Sequence, residues 1–365
     1  MKSPGCCCCP VEARPWRSAG VALITVLLIV FLSTVTAASL ATLQQIAIRR
    51  GTVLQHQQQA QLYALGAEQW AKVILERDRQ ESDVDHPGED WANLPPALPI
   101  EGGTLVARIS DLQGCFNLNN LWRPAATGPA SDPNPAPDPN PDAEPPNEDG
   151  AQPPNPDPVA PSVREAGHDQ TQIQSLQRLL ISLDLEPALA EALAQAITDW
   201  IDPDADPLFP YGAEDSHYLV QDPPYLTANQ RMFSVSELRL VKGVDRDAYA
   251  KLAPLVCALP HGAPLNLNTA PALVLAALGD GLDPVAVERL LENRPEEGYQ
   301  TVNEFLNAAQ LTLTAPEIAQ LSVSTQYFQL SVEVRVGDGR AVLYSILHRQ
   351  EGGVRVLYRS FSHED

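Results

Sequence analysis

Between Arg17 and Arg49 the chain carries no charged residue, and the stretch opens Ser18-Ala19-Gly20-Val21-Ala22-Leu23-Ile24-Thr25-Val26-Leu27-Leu28-Ile29-Val30. Roughly 20 apolar residues suffice to cross a bilayer as a helix, which satisfies its own backbone where no water can. A secretory signal is cut behind its apolar segment, at a small-residue site. Here Thr36-Ala37-Ala38-Ser39 is a weak match to such a site, whereas Gly20 stands directly in front of the run, after a basic leader with Lys2, Arg14 and Arg17. An uncleaved signal anchor is the plain alternative. Either way Arg14 and Arg17 hold the N-terminal side in the cytoplasm. Everything after the run then lies on the far side of the membrane, which in a Gram-negative cell is the periplasm.

Four of the six cysteines, Cys6 to Cys9, lie inside the leader and lack the spaced pairs of a zinc site. That leaves Cys115 and Cys257. In an oxidising compartment two cysteines usually pair, and two separate buried thiols are the alternative. The net charge of -22 argues against nucleic-acid binding, which needs clustered Lys and Arg. Part of the acidity belongs to Pro124–Pro161, which holds 14 prolines, seven acids and no basic residue. Such a stretch cannot bury apolar surface, so it reads as an extended, disordered loop.

On either side of that loop the pattern is ordered. Ala60, Tyr63, Ala67, Trp70 and Ile74 share one helix face, continuing the apolar run into a helix from Val21 to about Glu76. Gly102-Gly103 precedes an alternating strand, Thr104 to Ile109. From Tyr327 to Ser362 three more alternating runs are separated by Gly337-Asp338-Gly339 and Gly352-Gly353. Between them, about Thr171 to Ser322, lie short amphipathic helices such as Gln172–Leu183 and Pro187–Trp200. A long helix lying on an antiparallel sheet, with a helical region inserted, is an α+β arrangement.

Several blocks carry a resemblance: Asp111-Leu112-Gln113-Gly114-Cys115-Phe116-Asn117-Leu118-Asn119, Gly212-Ala213-Glu214-Asp215-Ser216-His217-Tyr218-Leu219, Ser234-Val235-Ser236-Glu237-Leu238, Pro254 to Pro260 and Leu265 to Ala270. Together with Gly20-Val21-Ala22-Leu23 they resemble the K-type minor pseudopilins of type II secretion systems. The resemblance implies a type IV pilin-like fold with a large inserted α-helical domain and a Cys115–Cys257 disulfide. It implies cleavage between Gly20 and Val21 by a prepilin peptidase. It also implies a place at the pseudopilus tip, beside the I-type and J-type minor pseudopilins and above the major pseudopilin. Domain bounds follow: leader 1–20, transmembrane helix 21–50, pilin helix and first strands 51–123, disordered loop 124–161, inserted domain 162–322 and C-terminal strands 323–365. A minor pilin of a related surface-pilus system is the runner-up. Pilins usually keep a glutamate at the fifth mature position, and here that residue is Thr25. A carboxylate in lipid is costly unless paired, and a first subunit has no earlier neighbour to pair with.

Two other classes lose on chemistry. Leu238-Arg239-Leu240-Val241-Lys242-Gly243-Val244, and Asn268 through Phe305, look like helix-hairpin-helix units of DNA-binding proteins. Yet from Ala263 to Ser324 only Arg289 and Arg294 face eight acids, so a phosphate field would be repelled. His217 beside Asp215 and Ser216 invites a hydrolase reading, but adjacent side chains diverge and no nucleophile elbow occurs; no catalytic activity is expected. Asp202-Pro203-Asp204-Ala205-Asp206, followed by Glu214-Asp215, offers alternating hard oxygen ligands of the kind calcium takes. It lacks the register of an EF-hand. The resemblance also implies calcium in this domain, with Asp202, Asp204, Asp206, Glu214 and Asp215 as candidate ligands.

Overall fold

The computed structural model describes residues 19–125, 166–279 and 282–361. Most of the leader and of the proline-rich loop therefore lie outside the described residues. The first element, α1 (Ala19–Glu81), is one unbroken helix of 63 residues, about 95 Å at 1.5 Å per residue. Its N-terminal half is apolar and exposed, with none of its apolar window buried against the described residues; it is long and apolar enough to cross a membrane. Thr25 returns its hydroxyl to the carbonyl of Ala22.

From Ala60 onward α1 turns a face of Ala60, Ala64, Ala67, Ala71, Ile74 and Leu75 to the protein. Spacings of four and three keep these positions on one side. The expected stripe is thus rotated: Trp70 remains 37% exposed and points outward, and Tyr63 is half-buried. Small side chains take the inward positions because the sheet comes close. A Cβ at Gly339 would sit 2.5 Å from the backbone carbon of His56.

After α1 come β1 (Leu98–Ile100) and β2 (Gly103–Asp111). An inserted unit follows, with β3 (Phe116–Asn117), β4 (Trp122–Arg123), β5 (Gly167–His168), α2 (Gln170–Ser182), α3 (Pro187–Ile201), α4 (Asp215–Tyr218), α5 (Arg246–Leu252), β6 (Val256–Cys257) and β7 (Leu265–Asn266). It continues through α6 (Ala272–Ala276), α7 (Pro284–Glu292), α8 (Val302–Ala309), α9 (Ala315–Ile318) and β8 (Leu321–Ser322). The chain returns as β9 (Tyr327–Val336), β10 (Gly339–Gln350) and β11 (Gly353–Ser360). One antiparallel sheet runs β1-β2-β9-β10-β11. Strand alternation sends Leu105, Ala107, Ile109, Phe328, Leu330, Val332, Val334, Leu343 and Leu347 into a core shared with α1. Glu68 of α1 is buried in that core and accepts from Ser345 (2.7 Å) and from Arg359 Nη2 (2.6 Å). Burial alone would raise its pKa, but the hydrogen bonds from Arg359 and Ser345 hold it below the ordinary value.

The insert has its own core, built on α2, α3 and the segment that follows β2. Phe116, Leu118 and Leu121 pack there with Leu176, Leu193, Trp200 and Tyr218. The boundary expected near residue 124 therefore falls earlier, at the end of β2, because residues 116–121 bury their side chains in the insert. Buried asparagines tie this entry segment down: Asn119 Nδ2 donates to the carbonyls of Met232 and Leu259, and its Oδ1 accepts from the Met232 amide. Cys115 and Cys257 form a disulfide.

The insert's position follows from strand direction. β10 starts beside His56, where Asp338 N donates to His56 Nδ1, and ends where Arg349 Nη1 meets Asp78 at 2.8 Å. It therefore runs along α1 away from the apolar half. β2 ends and β9 begins at that far end, paired Asp111 with Phe328. The insert hangs there, about 30 Å along the helix from His56. Arg349, 3% exposed, forms the joint: it binds Asp78 of α1, Asp85 and the carbonyl of Thr325, and stacks over Phe328. Burial, with Glu89 and Asp85 nearby, pushes Asp78 up to about 7 against the pull of Arg349.

Candidate functional site

The residues with chemistry left over lie where α3 runs into the acidic loop. α3 is amphipathic with Leu193, Ala194, Ile197 and Trp200 inward, and Pro187 at its first turn suits a position whose N–H has no helical partner. Its last turn carries Asp199 and, at the C-cap, Asp202, both fully buried. Asp199 turns the following loop back on itself by accepting from the amides of Leu208 and Ala213, the latter at 2.6 Å. A Cβ on Gly212 would lie 2.1 Å from Asp199 Oδ2, so only glycine lets the loop come this close. Its return brings Glu214 into the interior at 3% exposure.

Burying carboxylates is unfavourable unless each oxygen finds a donor or a cation. Here several find no donor among the described residues. Among the described residues, Asp202 Oδ1, both carboxylate oxygens of Glu214, Thr227 Oγ1 and Asn229 Oδ1 are buried and meet no partner at full hydrogen-bonding geometry, although the Thr227 hydroxyl lies close enough to Glu214 to act on its charge. The other oxygen of Asp202 meets His168 Nε2 at 2.6 Å, and that contact raises the histidine's pKa. His168, Asp202 and Asp204 bring ligand atoms within 4.8 Å of one another. Burial, with repulsion from Asp199, Asp202 and Asp204, pushes Glu214 up to about 7 against the pull of the Thr227 hydroxyl. Burial likewise lifts Asp199, to about 6. Unpaired oxygens and carboxyls that resist ionising form an arrangement that a hard cation would relieve.

Of the five candidate ligands named from the sequence, the structure gathers Asp202, Asp204 and Glu214. Asp206 is exposed and uses its amide to bond Asp204 Oδ1. Asp215 is half-buried and its Oδ1 accepts from the Thr227 amide, which draws the 227–229 segment toward the cluster. Sequence reasoning missed Asp199, Thr227, Asn229 and His168. Asp199 was accessible, since it precedes Asp202 by three on one helix face; the others come from segments far away in sequence. His217 sits on α4 with its amide bonded to the Glu214 carbonyl and its ring against Tyr218.

A long apolar helix laid along an antiparallel sheet, with a second helical unit inserted between adjacent strands, defines a pilin-type subunit with a membrane anchor. Sequence comparison narrows this. Type II secretion system (T2SS), protein K, matches residues 114–261 and again residues 265–324. The type II secretion system protein K of Pseudomonas aeruginosa is 37% identical over 350 residues, covering 93% of this chain and 92% of its own length. That of Aeromonas hydrophila is 34% identical over 351 residues, covering 94% and 96%. The crystal structure of the GspK-GspI-GspJ complex from the enterotoxigenic Escherichia coli type 2 secretion system matches with a TM-score of 0.66 and 28% identity, covering 86% of this chain and 100% of that one. The chain belongs to the protein K family: it is a minor pseudopilin of a type II secretion system.

Proposed function

We propose that this chain is the subunit at the tip of the periplasmic pseudopilus, where it starts the assembly that exports folded proteins across the outer membrane. The placement of the insert carries the reading. It sits at the end of the pilin body farthest from the apolar half of α1, and it thickens that body. A filament subunit with others stacked above it has no room for such a mass, whereas a first subunit has nothing above. Thr25, without the usual carboxylate, agrees. The relative from enterotoxigenic E. coli was crystallised with GspI and GspJ, so I-type and J-type pseudopilins are the proposed direct partners, with the major pseudopilin below. The precursor would be cut between Gly20 and Val21 by prepilin peptidase, leaving α1 as a single inner-membrane anchor and the rest in the periplasm.

Calcium is the cation that fits the orphaned oxygens. Asp202, Glu214, Thr227 and Asn229 supply unpaired hard ligands, and Asp199 and Asp204 add charge. Calcium accepts six to eight oxygens in flexible geometry, which a loop cluster can meet more readily than the strict octahedron of magnesium. Bound there, it would neutralise converging carboxylates and fix the 202–229 loops onto α3; its contribution is structural.

The test is N-terminal mass spectrometry of the mature protein, with subunit counting in sheared filaments. A start at Val21 and a few copies per filament are expected. Mature protein beginning after Ala38, or copy numbers near those of the major subunit, would sink this reading.

A further inference from the structure

Most of the large apolar side chains that the insert leaves in water lie in one stretch, Phe209 to Leu240, where Phe209 is 92%, Val220 77% and Phe233 65% exposed. Two loops carry the first of them. The amide of Gly212 donates to the carbonyl of Leu208 at 2.7 Å and closes a turn with Phe209, Pro210 and Tyr211 exposed at its tip. The carbonyl of Tyr218 accepts from the amides of Gln221 and Tyr225 and closes a second loop, with Leu219, Val220, Pro223 and Pro224 exposed between them. Asp199 grips the first loop at its base. The second is gripped by the ring of Tyr218, fully buried against Trp200 and Tyr225. Both loops meet Lys242, which donates its ammonium to the carbonyl of Tyr211 and its amide to the hydroxyl of Tyr218. Tyr225 donates its hydroxyl to the carbonyl of Leu240 nearby. Single exposed apolar residues need no explanation, but apolar tips on fixed bases, drawn together at one place, form a contact surface.

Charge selects the occupant. From Leu179 to Gln230 there is no Lys or Arg, and then Arg231, Arg239, Lys242, Arg246 and Lys251 follow within 21 residues, in a chain of net charge -22. Arg231 lies over the ring of Phe233, and Arg239 over that of Tyr249. Among the described residues, where Arg123 and His168 find carboxylates, these two and the exposed Arg246 form no ion pair. Rings held in water beside unpaired guanidiniums suit the boundary layer of a bilayer, where rings sit among headgroups and cations reach phosphates. We propose that the two loop tips, with Phe233, Arg231 and Arg239, form a docking surface for phospholipid. The rings enter the headgroup layer and the guanidiniums meet its phosphates. Asp222, the carboxylate carried on the second tip, keeps that loop shallow. A protein partner would need a matching hollow for each protruding tip, whereas a fluid layer needs none. The insert stands about 30 Å along α1 beyond His56, out of reach of the bilayer that holds α1. The surface it meets is a second membrane, which for a subunit at the tip is the inner leaflet of the outer membrane. That last step rests on the tip reading above; the docking surface itself does not.

The test holds the full chain by α1 in nanodiscs of phosphatidylcholine and adds sucrose-loaded vesicles of phosphatidylethanolamine with phosphatidylglycerol. Calcium is present, with salt at about 150 mM to screen long-range repulsion from the acidic chain. Sedimenting the vesicles should bring the loaded discs down with them, and bare discs set the background. Phe209→Ser combined with Phe233→Ser should lower the partition constant at least about 30-fold. Arg231→Gln combined with Arg239→Gln should lower it about 10-fold. Ile181→Ser and Val285→Ser, at exposed apolar sites elsewhere on the insert, should leave it unchanged. All of these sites are exposed, so melting should stay within about 2 °C of the parent. An unaltered chain that stays in the supernatant would overturn the proposal, as would a ring variant that sediments like the parent. If the unaltered chain stays in the supernatant while the ring variant blocks secretion in cells, the loops serve a protein instead. Vesicle binding together with copy numbers near those of the major subunit would leave the surface standing and sink the tip reading.

Discussion

The carboxylate cluster makes a prediction about protons as well as cations. Glu214 is held at about 7 and Asp199 at about 6, both above their ordinary values. A raised carboxyl pKa means the folded protein holds its proton more tightly than the unfolded chain. Without calcium, this contribution to stability is therefore present at low pH and declines as pH rises from about 4.5 through 7. Calcium reverses the sense, because its ligands must be deprotonated. At pH 5.5 a group titrating near 7 costs about 30-fold in apparent calcium affinity, and one near 6 a further ~4-fold; at pH 8 both penalties vanish. The combined ~100-fold is worth about 2.7 kcal/mol. With calcium well above its Kd at both pH values, that difference enters stability directly. It corresponds to a rise in Tm about 4 °C larger at pH 8 than at pH 5.5 for a chain of this length. The assay is differential scanning calorimetry of the chain from Arg50 onward, with and without calcium, at both pH values. Glu214→Gln should remove most of the calcium increment and flatten what remains. Equal increments at the two pH values, or a full increment in the Glu214→Gln variant, would refute the reasoning.

Two further outcomes follow from the joint and the disulfide. Arg349→Met should destabilise the chain by about 3–5 kcal/mol, because it strands Asp85 as a buried, unpaired charge; denaturant unfolding measures the loss, and protease nicking near residues 82–93 should rise with it. Replacing Cys115 and Cys257 together by Ala opens a loop spanning 142 residues. The chain-entropy account gives about 5 kcal/mol for that, checked by comparing midpoints of the parent under reducing and non-reducing conditions with that of the variant.

Much of the pilin body was legible because its signals are local. Alternation in Phe328, Leu330, Val332 and Val334 needs only a period of two, and the glycine pairs between strands mark the turns. The rotation of α1 was not legible. Ala60, Tyr63, Ala67, Trp70 and Ile74 satisfy helical spacing as well as the buried set does, and only the closeness of the sheet at Gly339 selects alanines over rings. The acidic loop announced itself by composition, yet composition could not separate Glu214, driven inward by the turn around Asp199, from Asp206, which stays in water. Thr227, Asn229 and His168 join the cluster from separate segments, so no spacing rule finds them. Arg349 was hidden for the same reason: its partners Asp78, Asp85 and Thr325 converge from three separate segments, two of them more than two hundred residues away.

The adjacency of β2 and β9 has a bearing on how such a chain can change over evolutionary time. Asp111 and Phe328 are cross-strand partners, so the two ends of the insert stand one strand spacing apart, about 5 Å. A tight hairpin of two residues could join them and leave the sheet register as it is. The helical unit is thus a cassette spliced into a hairpin. It can lengthen, acquire long loops, or be lost, while the shaft-building half of the molecule keeps its geometry.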